Sequence, residues 1–131
     1  MSGWTSDELD TIAAAASERD IAPLRTDGTP RPYTTIWVVR IGDELFVRSF
    51  RGPNAAWYRA TQRSRRGRIR FGSVERDVAF EDAHDNTDAV DAAYRAKYGR
   101  SSYVDAMVTP DAAATTLRLI PADTKGERSD D

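Results

Sequence analysis

Between Arg48 and Arg59 the chain reads Arg48-Ser49-Phe50-Arg51-Gly52-Pro53-Asn54 and, after two alanines, Trp57-Tyr58-Arg59. These residue types suit anion chemistry. Guanidinium forks bind phosphate oxygens bidentately, a serine hydroxyl and turn N–H groups add donors, and a glycine lets the backbone approach a ligand closely. Arg48, Ser49, Arg51 and Gly52 are therefore a candidate phosphate cradle. Trp57 and Tyr58 follow closely enough to offer ring faces to a ring-bearing ligand, although packing in a core is the commoner fate of such rings. A hairpin terminus with solvated arginines is the plainer alternative for the whole segment.

Other chemistries find less support. Nine arginines and a single acidic residue, Glu75, lie between Arg48 and Arg76, and six acidic residues from Asp77 to Asp91 follow with no basic residue among them. This predicts a charge-asymmetric surface able to steer anionic partners. Arg63, Arg65, Arg66, Arg68 and Arg70, interleaved with Ile69 and Phe71, would also suit a nucleic-acid backbone, but no nucleic-acid motif accompanies them and the chain has a net charge of -2. That reading ranks below small-molecule binding. His84, the sole histidine, lies in an acidic stretch without ordered ligand spacing, so no metal site is expected. The absence of cysteine removes disulfides, thiol catalysis and cysteine metal sites. Ser73 and the other serines lack a nucleophile-elbow setting, and no catalytic residue is assigned.

The elements that must hold the segment are legible on either side. Thr5 and Glu8 stand at capping-box spacing, Trp4 and Leu9 at staple spacing, and Ile12, Ala13 and Ala16 continue a helical stripe. Asp20 to Leu24 reads as a short edge strand ended by Pro23, before an Asp27-Gly28 turn. Tyr33 to Ile41 reads as one strand buried on much of both faces, turning at Gly42-Asp43 into Glu44 to Phe50. Asn54 is placed to cap a helix running to Ser64. A second hairpin pairs Arg68–Phe71 with Val74–Phe80 across Gly72-Ser73. Thr87 starts a helix with an inward stripe of Val90, Ala93, Tyr94 and Lys97, stopped at Gly99. One helical turn from Tyr103 to Val108, ended by Thr109-Pro110, and a strand from Thr115 to Ile120 complete the series.

With 131 residues and antiparallel hairpins dominating, the expected fold class is α+β, a small antiparallel split β-barrel with peripheral helices in one domain over residues 1–121. Residues 122–131 read as a disordered polar tail. Without a basic-then-apolar leader or a long apolar run, the cytoplasm is the expected location.

The succession Gly28, Pro30, Thr34-Thr35-Ile36-Trp37-Val38-Val39, Gly42-Asp43, Leu45-Phe46-Val47-Arg48-Ser49, Gly52-Pro53 and Trp57-Tyr58 resembles the split β-barrel proteins that bind flavin or deazaflavin, the pyridoxamine-phosphate-oxidase-like superfamily. Within it the chain is similar over nearly its whole length to a domain-of-unknown-function branch, DUF2255. The shared strings are Trp57-Tyr58-Arg59, Gly67-Arg68-Ile69, Glu75-Arg76-Asp77-Val78 and the run from Ala92 to Gly99. The resemblance implies a phosphate cradle of Arg48, Ser49, Arg51, Gly52 and Asn54, with Trp57 and Tyr58 beside it. Deazaflavin reductases of this fold carry Asn-Leu where this chain has Arg59-Ala60. The implied cofactor is FMN or a deazaflavin, the implied activity an oxidoreductase, and the implied assembly a homodimer. A non-enzymatic ligand-binding or interaction module of the same fold, with no cofactor, is the alternative.

Overall fold

The computed structural model describes residues 4–5, 7–10, 19–25, 27–29, 31–49, 52–71, 74–83, 87–99 and 102–121. Seven strands are present among them: β1 Arg19–Pro23, β2 Thr34–Ile36, β3 Val38–Ile41, β4 Glu44–Val47, β5 Arg66–Phe71, β6 Val74–Asp82 and β7 Leu117–Pro121. The helices are α1 Ala56–Ser64, α2 Thr87–Tyr98, α3 Ser102–Met107 and α4 Pro110–Ala113, with a 3-10 turn at Gly52–Asn54 and a helical start at residues 7–10. Every strand pairing is antiparallel, in the order β2-β1-β5-β6-β7-β4-β3. The two outermost strands of that order are separated in the chain by Trp37 alone, so the sheet curls into a nearly closed barrel. The expected α+β split-barrel class is the one observed.

Side chains of successive strand residues point to opposite faces, and this divides the apolar residues into two cores. Ile21, Ile36, Val38, Leu45, Val47, Ile69, Val78, Phe80, Leu117 and Leu119 fill the barrel, joined by Trp4 and Leu9 from the N-terminal helix and Tyr58 from α1. Val39 and Phe46 point the other way and pack with Val90 and Tyr94 of α2 and with Val104 and Met107 of α3. Because β3 and β4 are thus covered on both faces, their sequence is almost uninterruptedly apolar. The outer face of β5 and β6 has no such cover and alternates.

That alternation is also where the charges meet. Arg70 lies opposite Asp20, Arg68 opposite Asp77 and Arg118 opposite Glu81. Each cross-strand couple is an ion pair, at 2.8 Å for Arg70–Asp20 and 3.1 Å for Arg68–Asp77. Each is worth at most about 1 kcal/mol, and a slip of register would separate all of them. Part of the basic stretch is thereby neutralised along these strands, and Arg65 is likewise paired with Asp82 at 3.1 Å.

Several expectations are corrected. β1 is an interior strand between β2 and β5, and β2 is the edge. The segment from Tyr33 to Ile41 is two strands, because its first half pairs with β1 and its second with β4. Ala55, not Asn54, is the N-cap residue of α1, since the chain first makes the 3-10 turn. Thr115 and Thr116 precede β7: their N–H groups donate to Ala112 and Ala113 at 2.9 and 3.2 Å and so finish α4. α4 itself was not expected; Thr109 caps it, accepting from the Ala112 N–H at 3.1 Å. The N-terminal cap is as read, with Glu8 N–H donating to Thr5 Oγ1 at 3.1 Å and Thr5 N–H to Glu8 Oε1 at 2.9 Å. The expectations for Ile12, Ala13, Ala16, Phe50, Arg51, Gly72, Ser73, His84 and the tail from residue 122 lie outside the described residues.

Candidate functional site

The β3–β4 hairpin turns on Gly42-Asp43, and Gly42 takes φ +61°, a conformation that the first central position of such a two-residue loop needs. β4 then runs back and ends just before Arg48. The Arg48 side chain is 0% exposed. Its Nε donates to Thr116 Oγ1 at 2.8 Å, Nη1 to the Met107 carbonyl at 2.9 Å and to Asp91, and Nη2 to the Thr87 carbonyl at 3.0 Å. Arg48 thus links β4 to the first turn of α2, the C-terminal carbonyl of α3 and the approach to β7. A helix ends with carbonyls that lack intrahelical donors, and the guanidinium supplies one. The sequence reading aimed the Arg48 fork at a ligand phosphate; here each of its three nitrogens donates to a protein acceptor.

Ser49 comes next and is different. Its backbone N–H donates to Thr115 Oγ1 at 2.9 Å and its carbonyl accepts from Gly52 N–H at 2.9 Å, closing a turn. Its hydroxyl is buried and has no hydrogen-bond partner among the described residues. Such an orphaned hydroxyl forfeits the hydrogen bonds that water gave it, at a cost of about 1 to 3 kcal/mol. Gly52 is buried at φ +73°, and a Cβ there would stand 3.2 Å from the Cβ of Asp111. Both the left-handed conformation and the closeness of α4 require glycine. The turn leads to α1, whose N-cap residue Ala55 makes no side-chain cap bond to the first-turn N–H groups.

Asn54 is exposed at this helix start. Trp57 is half-buried against the barrel core, and its ring meets Tyr58 edge-on at 6.3 Å. Tyr58 is buried, which pushes its phenol pKa upward, and the charge of nearby Asp82 acts in the same direction. Ser49, Gly52, Asn54, Trp57 and Tyr58 are thus held on one short stretch from the end of β4 into the first turn of α1, with Arg48 anchored beneath it and Arg51 outside the described residues.

The structure also gives places to residues that sequence reasoning left without roles. Tyr94 Oη donates to the Trp37 carbonyl at 2.8 Å, while Lys97 Nζ and Tyr98 Oη donate to the Val38 carbonyl at 2.6 and 3.2 Å. The Tyr98 ring stacks on Trp37 with centroids 4.3 Å apart. The carbonyls at the seam, where β2 gives way to β3, are thereby satisfied by α2, and burial drives the Tyr94 pKa far up. The run from Ala92 to Gly99 is a seam clamp. Gly67 has an equally concrete reason: a Cβ there would lie 2.7 Å from the Ala22 carbonyl oxygen and 2.8 Å from the Phe80 ring. Arg76 pairs with Glu8 and lies over the Trp4 ring at 5.5 Å, fastening the N-terminal helix to β6.

Solved structures share this architecture at low identity. An F420 reductase aligns with a TM-score of 0.60 at 17% identity, covering 87% of this chain and 93% of its own. The heme storage protein HutZ from Vibrio cholerae aligns at 0.69 and 14%, covering 90% of both chains. A FAD-binding protein from Mesorhizobium loti aligns at 0.56 and 16%, covering 92% of this chain and 91% of its own. These likenesses are of fold, and no curated protein matches the sequence. One family, described as uncharacterized protein conserved in bacteria, matches residues 8–119, which takes in six strands whole and the start of β7, the glycine turn, the seam clamp and nearly every residue discussed above. The chain belongs to that family, DUF2255.

Proposed function

We propose that the chain binds a phosphate-bearing cofactor or related small molecule on the stretch from Ser49 to Tyr58, with FMN or a deazaflavin as the cofactor class. The observation that carries this reading is the Ser49 hydroxyl, buried without a partner among the described residues at the root of the glycine turn. The N-terminus of α1, where Ala55 makes no side-chain cap bond, adds donors on the same stretch, and Gly52 keeps the backbone bare of a Cβ. Ser49, Arg51, Asn54 and the first-turn N–H groups would hold the phosphate, and Trp57 and Tyr58 would flank the ring. Arg48 positions the stretch from below. A bound flavin or deazaflavin would supply hydride transfer, making the protein an oxidoreductase, while the chain binds and orients the ring. A homodimer in the cytoplasm belongs to the same proposal; no helix among the described residues is long and apolar enough to cross a membrane.

One arrangement favours a second reading, an interaction module of this fold without cofactor. The engagement of Arg48 by protein acceptors and the closeness of Asp111 to Gly52 leave the stretch less cationic than its sequence. An absorbance scan of freshly purified protein, followed by titration with FMN and a deazaflavin under tryptophan fluorescence, decides between the two. Saturable quenching, weakened about tenfold by Ser49→Ala and about ten- to a hundredfold by Arg51→Ala, supports the cofactor reading. No saturable binding of either compound leaves the interaction module.

A further inference from the structure

The arginines differ in whether they meet a carboxylate. Arg40, Arg48, Arg65, Arg68, Arg70, Arg76, Arg95 and Arg118 each pair with a carboxylate. Arg31, Arg59, Arg63 and Arg66 pair with none among the described residues: two lie on α1, one at the start of β5 that follows it, and one in the loop after β1. Arg59 and Arg63 stand one turn apart on α1, about 6 Å along its axis, and Arg66 opens β5 directly beyond that helix. The Arg66 carbonyl accepts from Leu24 N–H at 2.8 Å, and Arg31 N–H donates to the Pro23 carbonyl at 3.0 Å, which brings the loop after β1 to the start of β5. Arg59, Arg63 and Arg66 are exposed and Arg31 is half-exposed. Asp27, the acidic residue of that loop, has its carboxylate turned to Thr29, accepting from its N–H at 3.0 Å and its hydroxyl at 2.7 Å.

We infer that these four arginines form a docking surface for a short acidic segment of a protein partner. Four unneutralised guanidiniums on a chain of net charge -2 form a local field of the opposite sign to the molecule as a whole, which attracts an anionic partner to one place. The patch is small. Arg65–Asp82 and Arg68–Asp77 border it, so a long phosphate backbone running past it would meet carboxylates. A segment with two or more carboxylates about a helical turn apart matches Arg59 and Arg63, with Arg66 and Arg31 at its flank.

The test uses the whole chain and three fluorescent probes in anisotropy titrations: an oligoglutamate peptide, a single-stranded oligonucleotide of equal charge, and vesicles containing an anionic phospholipid. The peptide should bind saturably and more tightly than either other probe, and its binding should weaken as salt rises. Arg59→Glu with Arg63→Glu should lower that affinity at least about tenfold, while Arg118→Glu, on a different face, should change it less than about twofold. Unchanged cofactor titration and unchanged far-ultraviolet circular dichroism in the double variant would show that the loss is local to this surface. Absence of peptide binding, an equal effect of Arg118→Glu, or tighter binding of the oligonucleotide or the vesicles would overturn the assignment.

Discussion

Replacing Asp91 by asparagine tests whether Arg48 is a strut of the fold or part of a ligand cradle. The substitution keeps shape and removes one charge, leaving the Arg48 guanidinium buried with three neutral acceptors: Thr116 Oγ1 at 2.8 Å, the Met107 carbonyl at 2.9 Å and the Thr87 carbonyl at 3.0 Å. Breaking a buried ion pair by removing one partner costs about 3 to 5 kcal/mol when both charges are dry. Asp91 is 34% exposed, so water reaches its side of the pair and the lower end applies, about 3 kcal/mol. For a chain of this length that lowers the melting temperature by about 10 °C. Arg48→Met goes further, because it strips two backbone carbonyls and a hydroxyl of their donor and leaves Asp91 without its cation; its expected cost is about 4 kcal/mol. Denaturant unfolding followed by tryptophan fluorescence gives both values, and the Arg48→Met/Asp91→Leu pair should cost less than the sum of the separate changes. A neutral Asp91→Asn, with Arg48→Met altering only ligand affinity, would refute the strut and return Arg48 to the cradle.

Thr5→Ala removes the acceptor of the Glu8 N–H and should lower stability by about 1 kcal/mol, read as a shifted denaturation midpoint. Glu8 is partly buried, which alone would raise its pKa, but hydrogen bonds from the Thr5 N–H and from Arg76 hold it below its ordinary 4.5. Its contribution is therefore fully present above 4.5 and lost as pH falls through the lower folded value, so Glu8→Gln should flatten the acid limb of a stability-against-pH curve. An unchanged limb would show that Arg76 does not hold that carboxylate. Gly67→Ala drives a methyl against the Ala22 carbonyl and the Phe80 ring and should destabilise by about 2 to 3 kcal/mol in the same unfolding assay.

What the sequence discloses and what it withholds separate by range. The Thr5–Glu8 cap is complete within four residues, and the two-residue turn at Gly42 sits between flanking apolar runs, so both are readable locally. The hairpin of β5 and β6 is legible for the same reason, down to its Phe71–Val74 closing pair. Trp37 gives no local sign that its two neighbouring strands take different partners, because the division depends on β1 and β4 arriving from opposite sides. Arg48 looks like a ligand-facing cation because its acceptors lie 39 to 68 positions further along the chain. The arginine-rich run misleads in the same way: its counter-charges come from register, which a single strand cannot reveal. Among the candidate site residues, Gly52 takes the positive φ that a turn glycine suits, while the orphaned hydroxyl of Ser49 becomes visible only after its surroundings are known.

The position of β7 has a consequence for how the chain comes to be folded in the cell. β2-β1-β5-β6 and β4-β3 are two blocks, and β7 pairs with β6 on one side and β4 on the other. Residues 117–121 emerge last among the described strands during synthesis, and until they do the edges of β4 and β6 lack the strand that pairs with both. Such edges invite pairing with other nascent chains. Closure therefore joins elements of high sequence separation and is slow by nature, and any truncation that removes Leu117–Pro121 should yield aggregate in place of a smaller folded product.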